Sequence, residues 1–219
     1  MARPRTPLLS REGIVAAALA LVDAEGLDAL STRRLAAELG VSGPSLYHHV
    51  ATKDDLIDAV VDSVLTAVDI TPFAALGPDH RDWRTALTIW ARSYRTVLEA
   101  HPRIVPALAQ SIGRRPTMLR IADAVFGGLV AAGWPRREAT SIGALMRYFI
   151  TGSALGSFAG GFPEDATVYQ SDYPHLNQAH LLASMQTEIN TRAFELGLTA
   201  ILDGLHHRPT APEPPHPVP

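Results

Sequence analysis

The sequence predicts an all-α protein, and three observations carry this prediction. Apolar residues recur three and four positions apart along most of the 219-residue chain, which is the spacing of one face of an α-helix. The period-two alternation that would indicate strands is nearly absent. Ser, Thr, Gly and Pro fall at the boundaries of the apolar segments, where helices begin and end. With 47% hydrophobic residues, the chain can bury the core of one large or two small domains.

The first two predicted helices are short and have clear boundary residues. Ser10 is the expected N-cap of the first helix, because its hydroxyl can accept a backbone N–H of the first turn. Gly26 is expected to end that helix. Ser31 or Thr32 caps the second helix, and Gly40 breaks it at a position that suits a left-handed backbone.

Two more helices complete the N-terminal region. A third short helix is predicted over residues 43–50, with Pro44 tolerated in its first turn. Thr52 is the expected N-cap of a fourth helix that runs to about residue 68. Asp55 stands three positions after Thr52, which gives a pair that resembles a capping box.

The rest of the chain is predicted to be helical, with two loops and a tail. Residues 71–79 and 162–177 are expected to be loops, and the proline-rich residues 207–219 are expected to be disordered. The predicted helices cover residues 80–100, 103–110, 116–132, 136–160 and 178–205.

Composition excludes several classes of protein. The chain has no cysteine, which excludes disulfides, thiolate zinc sites and cysteine nucleophiles. The apolar segment at residues 14–22 follows Arg11 and Glu12 and lacks a cleavage motif, so we do not expect a signal peptide. No apolar run approaches the roughly 18 residues of a membrane span, and we expect a cytoplasmic protein. A net charge of −3 still permits a local basic surface, because salt screens the interaction between exposed charges that are more than about 10 Å apart.

Residues 32–50 have the pattern of a helix-turn-helix. Ala36 is small where the two helices must cross, and Gly40 provides the turn. Val41, Leu46 and Val50 are the apolar positions that would hold the second helix against its neighbours. In this motif the second helix enters the DNA major groove. An ordinary helical hairpin is the alternative.

Residues 9–65 closely resemble the DNA-binding domain of the tetracycline repressor family. The motifs that carry the resemblance are Leu30-Ser31-Thr32-Arg33-Arg34-Leu35-Ala36, Leu39-Gly40-Val41, Leu46-Tyr47-His48-His49-Val50 and Lys53-Asp54-Asp55-Leu56. A weaker resemblance continues to about residue 205. It implies a DNA-binding domain at residues 1–68 and a helical domain at residues 69–206 that binds a small effector and dimerises.

The candidate DNA-contacting residues follow from this motif. Tyrosine at position 47 can meet a thymine methyl or a phosphate, and serine at position 45 can donate to a base edge or to the backbone. Gly43 offers no side chain for base recognition. Lys53, the chain's only lysine, stands at a helix N-terminus, where a phosphate partner would explain its position. The full candidate set is Thr32, Arg33, Gly43, Pro44, Ser45, Tyr47, His48, His49 and Lys53.

Two metal-based alternatives are weak. His48 and His49 are adjacent on a helix, so their side chains diverge, and no further His or Cys lies three or four positions away. Asp54, Asp55 and Asp58 have the spacing of the magnesium-diphosphate motif of helical terpenoid synthases. No second acidic motif follows, however, and acidic residues favour the first turn of any helix. We therefore expect neither a metal site nor an enzyme.

The C-terminal domain is expected to bind an organic effector without a metal. In the resemblance, the family's metal-binding histidine falls on Ser111, its acidic residue on Gly156 and its ligand-reading asparagine on Trp90, so a magnesium–tetracycline site is not reproduced. The expected effector-binding residues are Trp90, Tyr94, Ser111, Arg115 and Arg147.

A groove of glycines four positions apart on one helix and an apolar stripe on the last helix are expected to form a homodimer interface, as a four-helix bundle across a twofold axis. Packing within one protomer is the alternative. The expected interface residues are Gly152, Gly156, Phe194, Leu198, Ile201 and Leu205. The sequence thus predicts a ligand-responsive homodimeric repressor that binds double-stranded DNA. A DNA-binding regulator without a small effector is the alternative function.

Overall fold

The computed structural model of the chain is helical throughout the part it describes. It describes residues 9–79, 82–108, 115–156, 161–169 and 173–206, and no β-strand occurs among them. None of the helices in these ranges is long and apolar enough to cross a membrane. The α-helices are α1 (Arg11–Glu25), α2 (Thr32–Glu38), α3 (Gly43–Tyr47), α4 (Lys53–Leu65), α5 (Thr71–Ala74), α6 (Trp83–Ala100), α7 (Val105–Leu108), α8 (Pro116–Ala131), α9 (Arg136–Ala154) and α10 (Gln186–His206).

The chain divides into two compact units, each assembled from two segments. Unit 1 contains residues 1–68 and 96–122, and unit 2 contains residues 69–95 and 123–219. Unit 1 therefore holds α1 to α4 and α7, together with the end of α6 and the start of α8.

The predicted helix caps of unit 1 are present. The hydroxyl of Ser10 accepts the backbone N–H of Gly13 at 3.0 Å. Ser31, rather than Thr32, caps α2, because its hydroxyl accepts the backbone N–H of Arg34 at 3.1 Å. Thr52 caps α4 in the same way. Gly40 has a φ of 65°, which confirms the left-handed turn between α2 and α3.

The core of unit 1 lies between α1, α2 and α4. Its apolar side chains are almost completely buried, and Ala36 lets α2 approach its neighbours because it is small. This core fixes the orientation of α3, whose Leu46 is also fully buried. The most buried members are Ile14, Ala18, Val22, Leu35, Leu56, Val61 and Leu65.

Several predicted boundaries differ from the structure. Helix α3 ends at Tyr47 and α4 at Leu65, so both are about three residues shorter than predicted. Residues 71–79 contain the short helix α5, because Pro72 stands in a first turn, where its missing N–H costs nothing. Helix α9 ends at Ala154, before the glycines expected to end it.

The segment before α10 is a series of 3-10 turns. They cover Ala166–Tyr169, Pro174–Leu176, Ala179–Leu181 and Ala183–Met185. The α-helix begins only at Gln186, eight residues later than predicted. The predicted disordered tail at residues 207–219 lies outside the described residues.

The interior of unit 2 is built around stacked aromatic rings. Phe149 of α9 stacks on Phe194 of α10 with ring centroids 5.1 Å apart. The Arg95 guanidinium lies 4.4 Å from the Phe194 centroid, which connects α6 to the same stack. Gly197 has no side chain where the Phe149 ring lies, and a Cβ there would stand 2.6 Å from that ring.

Candidate functional site

The predicted DNA-contacting residues lie on the helix-turn-helix and at the start of α4, and each is exposed or half-buried. The backbone N–H of Val41 donates to the carbonyl of Ala36 at 3.0 Å, which closes the turn that joins α2 to α3. Leu46 and Val50 are buried in the core of unit 1 and hold α3 in place. Of the predicted residues, Thr32, Gly43 and His49 are half-buried, and the exposed ones are Arg33, Pro44, Ser45, Tyr47, His48 and Lys53.

Two pairs of hydroxyl groups are hydrogen-bonded on the exposed face of the helix-turn-helix. The Oγ1 of Thr32 lies 3.1 Å from the hydroxyl of Tyr47, across the two helices. The Oγ of Ser42 lies 2.9 Å from that of Ser45 and also accepts the Ser45 backbone N–H. The polar tips of Ser45 and Tyr47 are therefore held by the protein itself.

Arg33 and Arg34 are neighbours on α2 with different surroundings. The Nη2 of Arg34 lies 2.9 Å from a carboxylate oxygen of Glu25 and 4.0 Å from one of Glu38. No ion pair or hydrogen bond holds the exposed side chain of Arg33 within the part of the chain that the structure describes. Arg33 is the arginine available for a new partner, whereas Arg34 fixes α2 to the end of α1.

Lys53 is the first residue of α4 and is exposed. The positive end of the helix dipole lies at this terminus, so a cation there is unfavourable without an anionic partner. Asp54 and Asp55 follow in the same turn and partly offset that cost. The position suits a phosphate, which would contact both the ammonium group and the backbone N–H groups of the helix end.

Two aspartates of α4 have structural partners: Asp58, which belongs to the sequence that resembled a magnesium motif, and Asp62, one helical turn later. The Nε of Arg115 donates to the carboxylate of Asp58 at 2.8 Å, and the backbone N–H of Thr117 donates to Asp62 at 2.7 Å. Asp58 is therefore already neutralised by an arginine. No cluster of three or more His, Cys, Asp or Glu side chains suited to a metal occurs in the described ranges.

Arg115 differs from the other predicted effector-binding residues. Its side chain is 2% exposed and belongs to unit 1. Besides Asp58, it donates from Nη2 to the Ala107 carbonyl at 2.8 Å. These bonds hold the start of α8 against α4 and α7. Ser111, another predicted member of the set, lies outside the described residues.

The other predicted effector residues lie in unit 2, where aromatic rings meet. Trp90 and Tyr94 of α6 are 2% and 0% exposed, and their ring centroids are 6.1 Å apart. Phe73 of α5 meets the Trp90 ring edge-on at 5.9 Å. Arg147 of α9 is half-buried.

Unit 2 also contains buried polar atoms that have no hydrogen-bond partner among the described residues. These are the indole Nε1 of Trp90, the Oγ1 of Thr151 and the Nδ1 of His180. Such an atom is costly in a protein interior unless something pairs with it. Thr151 and His180 were not predicted. The sequence signal for Thr151 is its place one helical turn after Arg147, on the same face of α9.

The predicted interface residues separate into two groups. Phe194, Leu198 and Leu205 are at most 6% exposed in the single chain, so they pack in the protomer core, the alternative that the sequence left open. Ile201 is half-buried, and Gly152 and Gly156 are exposed.

A second apolar face on α9 and α10 is exposed instead. On α9, Leu145 and Tyr148 are three positions apart, and Leu155 follows directly after the helix. The Leu196 side chain on α10 is 73% exposed. The sequence signal was a helix that is apolar on two faces. The large exposed side chains of this face are Leu145, Tyr148, Leu155 and Leu196.

Comparisons with known proteins agree on one family. A family model described as "Bacterial regulatory proteins, tetR family" matches residues 14–60, and one described as "Tetracyclin repressor-like, C-terminal domain" matches residues 77–208. The chain is 34% identical over 200 residues to the Escherichia coli "Tetracycline repressor protein class A from transposon 1721", covering 89% of each chain. It is 34% identical over 170 residues to an "HTH-type transcriptional regulator" of Saccharopolyspora erythraea, covering 78% of this chain and 70% of the relative.

Solved structures lead to the same family. The Streptomyces coelicolor TetR family protein ActR, solved in complex with actinorhodin, matches with a TM-score of 0.71 and 32% identity. The match covers 90% of this chain and 97% of that one. These relatives are transcriptional regulators rather than enzymes.

Proposed function

The chain belongs to the tetracycline repressor family of bacterial transcriptional regulators, and from this premise we propose that it is a homodimeric repressor. It binds a palindromic operator through two helix-turn-helix modules and is released by a small organic effector. It acts in the cytoplasm, where the operator DNA lies. The observation that carries the DNA-binding part is the exposed face of α2 and α3, whose fixed hydroxyls and free Arg33 suit a major groove.

On the DNA, some residues of this face position the protein on the phosphate backbone, and others read the base edges. Lys53, Thr32 and His49 contact phosphates, because the first two stand at helix N-termini and the third lies to one side of α3. Arg33 donates to a guanine edge or a phosphate. Ser45, Tyr47 and His48 face the bases, with Pro44 beside them and Gly43 contributing backbone only.

The exposed apolar face of α9 and α10 supports the homodimer. Leu145 and Leu196 are 43% and 73% exposed, and a shallow groove between the two helices is lined by Ala200 and Gly204. Such a face is stabilised when a second copy covers it. Gly152 and Ile201 lie on this side of the helices and take part in the four-helix bundle, and Gly156 follows directly after α9. The bundle sets two recognition helices one DNA turn apart, roughly 34–36 Å.

Substitution of Leu196 tests the dimer. Leu196→Lys places a charge on the face and should convert the dimer to monomers, measured by sedimentation velocity. Leu119→Lys is the matched control, since Leu119 is 54% exposed but lies in unit 1, and it should remain dimeric. A Leu196→Lys protein that sediments as the wild type would place the interface elsewhere.

The effector site is proposed around the buried aromatic residues of unit 2. Trp90, Tyr94 and Arg147 are the predicted members, and the unpaired atoms of Thr151 and His180 add to them. ActR has been solved with actinorhodin, which supports an organic effector in this family. An effector lowers operator affinity only if it binds the DNA-competent and the released states unequally.

Two experiments test the regulator function. Footprinting on the DNA that flanks the protein's own gene should show a protected palindrome, and protection of no duplex at low salt would refute DNA binding. A thermal-shift screen of organic compounds should then find one that stabilises the protein and removes it from that palindrome. If protection occurs and no compound in a broad screen releases it, the regulator without a small effector is the correct function.

A further inference from the structure

The hydrogen bond between Thr32 and Tyr47 limits what Tyr47 offers to DNA. Thr32 is the first residue of α2 and Tyr47 is the last residue of α3, so the 3.1 Å contact between Oγ1 and the phenolic oxygen crosses the motif. The Tyr47 side chain is nevertheless 55% exposed. Its hydroxyl is occupied while much of its ring remains accessible.

Each of the two hydroxyls has a single proton, and one of them lies in this bond. Either hydroxyl can be the donor. In both cases the bond holds the Tyr47 hydroxyl beside Thr32, and the ring is held with it.

The Thr32 hydroxyl has no competing role in holding α2 together. Ser31 is the N-cap, and its hydroxyl accepts the backbone N–H of Arg34. A change at Thr32 therefore leaves the cap intact. The Thr32 side chain is free to act on Tyr47.

We propose that Thr32 is a positioning residue for DNA recognition: it holds the Tyr47 hydroxyl so that Tyr47 meets the DNA with its ring. The group that an aromatic ring recognises in the major groove is the thymine methyl. Fixing the ring in advance lowers the entropy lost when DNA immobilises an exposed side chain. This inference rests on the proposed DNA-binding function.

A double-mutant cycle tests the proposal. The DNA is the duplex that the wild-type protein selects from a random-sequence pool, and affinity is measured by fluorescence anisotropy. Thr32→Val and Tyr47→Phe should each weaken binding about three- to tenfold, the typical range for one hydrogen bond. The two effects should combine to less than their product, because both changes remove the same hydrogen bond and only Thr32→Val also removes a phosphate contact.

A base analogue separates positioning from a general loss of structure. Replacing each thymine of the duplex by dU removes only the methyl group. The wild-type protein should lose affinity when one thymine in each half-site is replaced. The ratio of its affinities for the dT and dU duplexes should fall toward one in Thr32→Val and Tyr47→Phe. A structural defect would instead weaken binding to the dT and dU duplexes equally.

Tyr173→Phe is the matched control, since Tyr173 is 52% exposed and lies in unit 2, and it should bind as the wild type does. The proposal is overturned if the two single effects multiply in the double variant. It is also overturned if Thr32→Val keeps the full dT-to-dU discrimination. A wild-type protein that selects no sequence would refute the proposed function itself, which distinguishes the two failures.

Discussion

The two units differ in where their unused hydrogen-bonding capacity lies. In unit 1, two buried residues have hydrogen-bond partners. Arg115 donates to Asp58 and to the Ala107 carbonyl, and the backbone N–H of Thr117 donates to Asp62. Its available donors are at the surface, on Arg33 and on Lys53 at the start of α4.

In unit 2, Arg92 is bonded to Glu195 and Arg84 to Asp203. Unlike unit 1, this unit has buried polar atoms without a hydrogen-bond partner among the described residues, on Trp90, Thr151 and His180.

The difference indicates the size of partner that each unit suits. A macromolecule such as DNA reaches exposed donors and needs a surface that keeps its shape. Buried unpaired atoms are reached only by a small molecule that enters the interior. The predictions that follow test each side of this comparison.

The largest expected effect concerns the buried ion pair of unit 1. Arg115→Met leaves the Asp58 carboxylate without its partner and the Ala107 carbonyl without its donor. We expect the free energy of unfolding to fall by about 2–4 kcal/mol, because Asp58 keeps some contact with water. Urea unfolding followed by circular dichroism measures this change.

The exposed Arg92 provides the matched control. Its side chain is 58% exposed, so Arg92→Met should cost less than about 1 kcal/mol. Adding Asp58→Leu to Arg115→Met should recover part of the loss, since no unpaired charge then remains. Equal losses in the Arg115 and Arg92 variants would show that unit 1 does not depend on its internal pair.

The helix-turn-helix of unit 1 was predictable because its signals are local. The caps at Ser10, Ser31 and Thr52 and the turn at Gly40 each act within about four residues, so the sequence pattern predicts them directly. The whole set of candidate DNA contacts falls within residues 32–53. Only the ends of α3 and α4 were misplaced, since terminal turns depend on neighbours outside the helix.

The interior of unit 2 was less predictable because its properties depend on packing between distant segments. Whether a polar atom of Trp90 or His180 has a partner depends on helices far away in the sequence. An apolar stripe also does not reveal which partner covers it. Phe194 faces the protomer core, whereas Leu196, two residues later, is exposed. The sequence pattern did not distinguish the buried position from the exposed one.

The next largest effect concerns the available donor on the surface of unit 1. Arg33→Ala should weaken operator binding by about 1–3 kcal/mol and relax specificity at one base pair if Arg33 reads a guanine. Arg34→Ala is the matched neighbour, and it should leave the base preference unchanged because Glu25 holds Arg34. Binding to an operator set with single-base changes measures both.

Lys53→Ala extends this test to phosphate contacts. It should weaken binding to all sequences alike and reduce the salt slope of the affinity by about one. A changed base preference with an unchanged salt slope would contradict a phosphate contact. If Arg34→Ala altered base preference as much as Arg33→Ala, the assignment of the free arginine would be wrong.

A smaller effect is expected from an unpaired hydroxyl in unit 2. Thr151→Val keeps the shape of the side chain and removes a buried hydroxyl that has no hydrogen-bond partner in the described part of the chain. The effector-free protein should gain about 1 kcal/mol of stability, since the cost of burying that group disappears. Thermal unfolding measures this gain, and the variant should also respond to effector only at higher concentration.

Thr88→Val is the matched control on α6. The Thr88 hydroxyl donates to the Arg84 carbonyl at 2.8 Å, so its removal should bring no gain in stability. If both variants change stability in the same direction and by the same amount, the buried Thr151 hydroxyl does not lack a hydrogen-bond partner.

The smallest effect belongs to the exposed ion pair between α6 and α10. Arg92 donates from Nε and Nη2 to the two carboxylate oxygens of Glu195 at 3.0 and 2.7 Å. These hydrogen bonds hold the pKa of Glu195 below its ordinary value of 4.5. A carboxyl whose pKa is lowered on folding adds stability above its unfolded pKa, and that stability is lost as the pH falls through the folded pKa.

Glu195→Gln should therefore be less stable than the wild type near neutral pH, by about 0.2–1 kcal/mol because solvent screens the pair. The difference should vanish in acid, below the folded pKa of Glu195. Glu188→Gln is the control, since Glu188 meets Arg192 through one contact of 3.4 Å and both side chains are more than half exposed. Its loss of stability near neutral pH should be smaller than that of Glu195→Gln. A difference for Glu195→Gln that persists in acid would mean that the pair acts through packing rather than charge.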